Sequence, residues 1–103
     1  VLLRADGASL LRPQIATGKA YGALGMGFGG RELAARAAKM PAFFNAVTQL
    51  AAGHMVPVPG GVLIRSKDGI LLGAIGVSGD TSDNDEICAV AAIEEAQLVP
   101  DCG

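Results

Sequence analysis

The chain has 103 residues, of which 50% are apolar, 17% charged and 4% aromatic, and its net charge is −2. That composition excludes intrinsic disorder, the length allows one small domain, and no stretch approaches the roughly 18 apolar residues of a membrane span. All eight basic residues precede Asp80 and are dispersed, with no Trp beside them, while the remainder carries only acids, a pattern that argues against a nucleic-acid partner.

In chain order, Val1-Leu2-Leu3-Arg4 followed by Asp6-Gly7 reads as the end of a strand and its turn. The chain opens on Val1 inside that apolar run, so a preceding N-terminal piece is expected. A helix follows from Gln14 to about Gly25, with Ser9 or Arg12 as its cap and Pro13 in its first turn. Ile15, Gly18, Gly22, Gly25 and Gly29 fall along one stripe of it. Each interior glycine costs about 1 kcal/mol relative to alanine, so a close neighbour, a flat ligand or a subunit contact must justify the stripe.

A second helix is expected over Arg31 to Met40, with Leu33, Ala37 and Met40 facing inward. Pro41 opens a third, with Phe43, Val47 and Leu50 at helical spacing and Gly53 as its stop. Lys67-Asp68-Gly69 joins the apolar runs Val62 to Ser66 and Ile70 to Val77 into a hairpin. The second run is apolar without alternation, which implies cover on both faces. The last helix spans Ser82 to about Leu98, with overlapping capping boxes at Ser82/Asp85 and Asp83/Glu86. Ile87, Val90, Ile93 and Leu98 define one of its faces, and Cys88, Ala91 and Ala92 a second.

Several local motifs fail on context. Gly25-Met26-Gly27-Phe28-Gly29-Gly30 fits a dinucleotide fingerprint but follows a helix and lacks the acid about 20 residues on. Gly76-Val77-Ser78-Gly79-Asp80 breaks the nucleophile-elbow pattern at Asp80, so a plain tight turn is expected there. The acids from Asp80 to Glu86 fit helix capping better than a calcium loop. Cys88 and Cys102 with the single His54 cannot form a disulfide scaffold or a structural zinc site, and a reducing, cytoplasmic compartment is the expectation. His54 sits in a loop after Gly53, where a lone histidine is more often an exposed bystander than a ligand, but imidazole is the commonest ligand type in this sparse inventory and makes His54 the candidate to ligate a haem iron. Met26, Met40, Met55, Tyr21 and Cys88 also carry iron-ligating atoms, but each has a packing explanation.

Arg4-Ala5-Asp6-Gly7-Ala8, Ala16-Thr17-Gly18-Lys19-Ala20-Tyr21, Pro59-Gly60-Gly61-Val62 and, most specific of all, the run from Gly73 to Glu86 stand in a familiar order and spacing. With them the chain resembles, along nearly its whole length, the GlcG/HbpS family, which includes the C-terminal domain of PduO-type proteins. The resemblance implies an α/β (α+β) fold of the profilin-like or roadblock-like kind, a three-layer domain with an antiparallel sheet of about five strands between helical layers. It also implies a helix and an inner strand ahead of Val1, to be supplied by a preceding segment or a partner, since sheet backbone groups would otherwise be unpaired.

For function, the resemblance implies haem or other tetrapyrrole binding in some members, corrinoid-linked work in the PduO branch, an unassigned role beside glycolate metabolism in the GlcG branch, and homo-oligomers. It places the iron contact of haem-binding relatives near the loop Gly27-Phe28-Gly29-Gly30-Arg31-Glu32. Leu63 departs from the proline common after Gly-Gly-Val, and the Asp80 to Glu86 match leans toward the GlcG branch. The first reading is therefore a small-molecule binding domain for haem or a related planar cofactor. Its pocket is formed by Asp6, Lys19, Tyr21, Gly60, Gly61, Ser78 and Gly79, with Lys19 meeting a carboxylate. One alternative is an enzyme or accessory protein of small-organic-acid metabolism with Lys19 and Asp6 as acid and base. The other is a structural oligomer subunit with the Gly18 to Gly29 stripe in its interface.

Overall fold

Asp68-Gly69 between two apolar runs closes the expected hairpin. The computed structural model, which describes residues 1–103, places β1 at Gly61–Arg65 and β2 at Leu71–Gly76, paired antiparallel from Gly61↔Gly76 to Arg65↔Leu71. Gly69 takes φ +85°, which a side chain would resist, and donates to the Ser66 carbonyl at 2.9 Å. Ser66 Oγ accepts from Ile70 N–H at 3.1 Å, so the turn satisfies its own backbone groups. A third strand, β3 at Val99–Asp101, pairs antiparallel with the other side of β1, giving the order β2-β1-β3. The sheet thus has three strands where about five were implied. Val1–Arg4 joins no ladder, although the Asp6-Gly7 turn forms, with Ala8 N–H donating to Ala5 O at 3.2 Å.

The alternation of β1 sorts the helices into layers. Gly61 and its partner Gly76 face α1, Arg12–Met26, whose Lys19 and Ala16 carbonyls sit where their side chains would be. Val62 and Ile75 point to the opposite face, where they meet Ala89 and Ile93 of α4, Ser82–Glu95. The arrangement is a helix, sheet, helix sandwich, as expected. α2, Gly30–Lys39, and α3, Pro41–Leu50, close a second small core in which Leu33, Phe44 and Met55 are buried together. Leu33, Val62 and Leu63 are fully buried, each contributing about 1.5–3 kcal/mol.

Four local expectations are corrected. Leu11, not Ser9 or Arg12, is the residue before α1 and makes no side-chain cap; Ser9 only accepts Arg12 N–H through its carbonyl, at 3.1 Å. In α3 the inward face is Phe44, with Val47 and Ala51 beside it, while Phe43 and Leu50 are exposed, because Leu33 and Met55 lie on the Phe44 side. Thr81, in extended backbone, caps α4 by accepting Asn84 N–H at 3.2 Å. Its inward residues are Asp85, Ala89 and Ile93 at four-residue spacing, leaving Ile87 exposed, and it ends at Glu95 because Gln97 turns left-handed at φ +62°.

The strand β2, expected to be covered on both faces, is an edge strand with Leu71 and Leu72 42% and 56% exposed.

Candidate functional site

The glycine stripe of α1 explains how the site is assembled. A side chain at Gly18 would collide with Val56 Cγ2 at 2.5 Å, and one at Gly22 with Met55 Cγ at 2.8 Å. The close neighbour is therefore the extended segment after α3, held to α1 by Val56 N–H donating to Gly18 O at 3.0 Å. Ala52 at φ +56° and Gly53 at φ +77° reverse the chain out of α3 and bring His54 back beside α1. A left-handed alanine is strained by about 1–2 kcal/mol, and strain of this kind concentrates where a chain holds a functional geometry. This packing within one chain accounts for Gly18 and Gly22, whereas Gly25 and Gly27 meet nothing within 4 Å.

Two adjoining grooves flank the start of α1. One, of about 720 Å³, is lined by Thr17, Gly18 and Tyr21 of α1 and by Ala52, Gly53 and His54. There the Tyr21 and His54 rings lie 6.0 Å apart at a 54° tilt, both side chains exposed. The other, of about 890 Å³, lies between the Val1–Ser9 segment, Arg12 and Ala16 of α1, and the Ile75–Gly79 stretch that ends β2. Asp6, Ser78 and Gly79 meet in it, with Arg12 donating to Ser78 Oγ at 3.2 Å. Leu2 and Pro13 line both grooves.

Lys19 lines neither. Its ammonium is 2.9 Å from Asp85 Oδ2 and donates to Val77 O at 3.0 Å, with both side chains 3% exposed. Asp85 Oδ1 accepts Asp80 N–H at 3.0 Å, so the pair clamps the turn from β2 into α4. Gly60 and Gly61 belong to this framework: a side chain at Gly60, φ +110°, would strike Lys19 Nζ at 2.8 Å, and Gly61 lies against the Lys19 carbonyl. The expectation that Lys19 meets a ligand carboxylate is therefore corrected, as is its pairing with Asp6 in acid–base work. Asp85 supplies the anion, and the two residues share no groove.

The loop Gly27–Glu32 also lines neither groove. Gly29 and Gly30 pack against Cys102 and Val58 backbone, and Arg31 is held by Glu86 at 3.0 Å and by Asp83 at 2.6 Å, which keeps its guanidinium firmly charged. The acids from Asp80 to Glu86 are thus divided between the Lys19 clamp, Arg31 and the helix start. Burial, with Glu86 beside it, pushes the Cys102 thiol up from its ordinary range.

Of the residues flagged by sequence, Asp6, Ser78 and Gly79 line one groove and Tyr21 and His54 the other, while Lys19, Gly60 and Gly61 line neither. Sequence reasoning missed Arg12 as a groove residue and Asp85 as the partner of Lys19. The only signal for Arg12 was its place beside Pro13 at a helix start, and Asp85, 66 residues from Lys19, carried none beyond its resemblance to a capping acid.

No curated protein matches the chain. The crystal structure of a PduOC–haem complex superposes with a TM-score of 0.82 at 28% identity, covering 95% of this chain and 70% of that one. No helix is long and apolar enough to cross a membrane. The model of the family described as haem-degrading protein HbpS-like matches residues 1–94, and the chain belongs to that HbpS-like family.

Proposed function

We propose that this protein binds haem or a closely related tetrapyrrole in the groove between α1 and the segment after α3. The observation that carries the reading is the exposed His54 beside Tyr21 over a groove whose walls include the bare backbones of Gly18 and Gly53. Its donor set fits the group: an imidazole to meet iron, a phenol beside it, a Leu2 and Pro13 flank for the macrocycle, and glycines that admit a flat ring close to the main chain. The volume lies within the range of small-molecule sites. Family membership and the likeness to a haem complex point the same way.

When bound, haem supplies a redox-active iron whose behaviour follows its axial ligand and the polarity around it. The protein's part is positional. The left-handed Ala52-Gly53 pair and the Val56–Gly18 hydrogen bond hold the His54 backbone beside α1, which sets where the imidazole stands. Tyr21, on the same helix face as Gly18, limits the ring's freedom.

Haemin titration by absorbance tests this. Wild type is expected to give a saturable Soret shift of defined stoichiometry, and His54→Ala to shift the band and weaken binding at least tenfold, the loss of one iron ligand. Absence of a saturable shift in wild type refutes the reading.

The exposed apolar edge at Ile70–Leu72 supports self-association, since such an edge is a template for another chain. Two unpaired cysteines, one exposed, support a reducing, cytoplasmic setting, and the dispersed basic residues a life without nucleic acid.

A further inference from the structure

The two grooves divide between them what a tetrapyrrole requires. The His54 groove holds iron-ligating side chains and no Lys or Arg, whereas its neighbour holds Arg4 and Arg12 and no His, Cys, Met or Tyr. They meet along Leu2 and Pro13. Arg31, Arg36 and Arg65 each sit on a carboxylate, but Arg12 meets only the Ser78 hydroxyl and Arg4 only the Ala8 carbonyl. Arg12 is half-buried, held in place by Ser78, and faces an open groove with no carboxylate within ion-pair distance. A fixed guanidinium of this kind is suited to a carboxylate, which it recognises through its fork of donors.

From Thr17, in the first groove, to Arg12, in the second, α1 rises about 7.5 Å and turns about 140°, which sets their Cα atoms about 9 Å apart. That span is comparable with the reach from a porphyrin's centre to its propionates. We propose that Arg12, supported by Ser78, binds a propionate of the tetrapyrrole whose iron faces His54, so that one ligand crosses the Leu2–Pro13 ridge and uses both grooves. The proposal rests on the haem-binding reading. Asp6 lines the second groove with a negative charge and opposes the propionate, while Arg4 adds a second positive charge at the exposed end. The Lys19–Asp85 clamp holds the Val77–Gly79 wall from behind.

The test compares haemin with its dimethyl ester, in which the propionates are uncharged. Wild type is expected to bind haemin about tenfold more tightly than the ester, the worth of a charge-assisted hydrogen bond at a half-exposed site. Arg12→Gln should remove that preference while leaving the Soret position of wild type, and Asp6→Asn should enlarge it. Arg12→Lys, which keeps charge but not the fork, should fall between, and thermal melts of all variants confirm that they fold. Equal affinity of wild type for acid and ester, or an Arg12→Gln variant that keeps the preference, overturns the proposal while leaving the haem reading standing. Absence of haemin binding in wild type overturns both. Succinate that shifts the Arg12 and Ser78 resonances without competing with haemin assigns the site to a free carboxylate and also overturns it.

Discussion

Removing Asp85 should be among the most damaging single changes available to this chain. Asp85→Ala deletes the oxygen 2.9 Å from the Lys19 ammonium and the oxygen that accepts Asp80 N–H at 3.0 Å, leaving a charge that is 3% exposed with Val77 O as its one acceptor. Breaking a buried pair from one side costs about 3–5 kcal/mol, because the stranded charge keeps its desolvation penalty without compensation. For a domain of this size each kcal/mol lowers the melting temperature by about 4–8 °C, so a loss of 3 kcal/mol is on the order of 12–24 °C. Urea and thermal unfolding of wild type, Asp85→Ala, Lys19→Met and the double variant Lys19→Met/Asp85→Leu measure it. The double variant removes both charges together and should recover most of the loss, since a buried pair replaced by apolar side chains is often neutral. An Asp85→Ala variant within about 1 kcal/mol of wild type, or a double variant no more stable than it, would refute the assignment of this pair as the clamp of the turn.

Two further outcomes follow from the packing and the thiol. Gly76→Ala sets a methyl group against the Ala16 carbonyl and 2.9 Å from Ala20 N, both α1 backbone, and should cost about 1–3 kcal/mol or more by forcing helix and sheet apart. Gly73→Ala in the same strand meets nothing within 4 Å and should be close to neutral, so equal losses in the two would count against this account. The raised Cys102 pKa means that the unfolded chain loses its thiol proton first, and the folded state then holds more protons. Stability should therefore fall as pH rises above about 9, the ordinary thiol value, and fall less in Cys102→Ser, as urea unfolding at neutral and alkaline pH would show.

Local chemistry made the hairpin and the start of α4 readable. Asp-Gly between apolar runs has few alternatives, and a cluster of short polar residues before an apolar stretch marks a helix start even when Thr81 rather than Ser82 does the capping. Faces were harder. Phe43, Val47 and Leu50 satisfy helical spacing as well as Phe44, Val47 and Ala51 do, and only the positions of Leu33 and Met55 decide between them. β3 escaped notice because three residues containing Pro100 show no strand pattern of their own. The glycine stripe announced a close neighbour, but the neighbour is segment 54–56, supplied by tertiary packing. Tyr21 and His54 were each visible, and so were Asp6 and Ser78. Their grouping depends on how the chain reverses at Ala52-Gly53, a left-handed alanine that no sequence pattern signals.

The placement of β3 also sets an order of assembly. The hairpin closes across the five residues from Ser66 to Ile70, whereas Arg65 meets Asp101 at 2.8 Å, 36 positions further on. Loop-closure entropy makes that second ladder costlier by about 2 kcal/mol, so β3 zips onto β1 late and peels away early. When it does, Cys102 comes off the backbone of Gly29 and the entry to α2 loses its cover. The half-buried Cys102 thiol, packed against the Val62–Ala89–Ile93 core, gains exposure in that opening, so its labelling should quicken as β3 detaches while that of the exposed Cys88 on α4 does not.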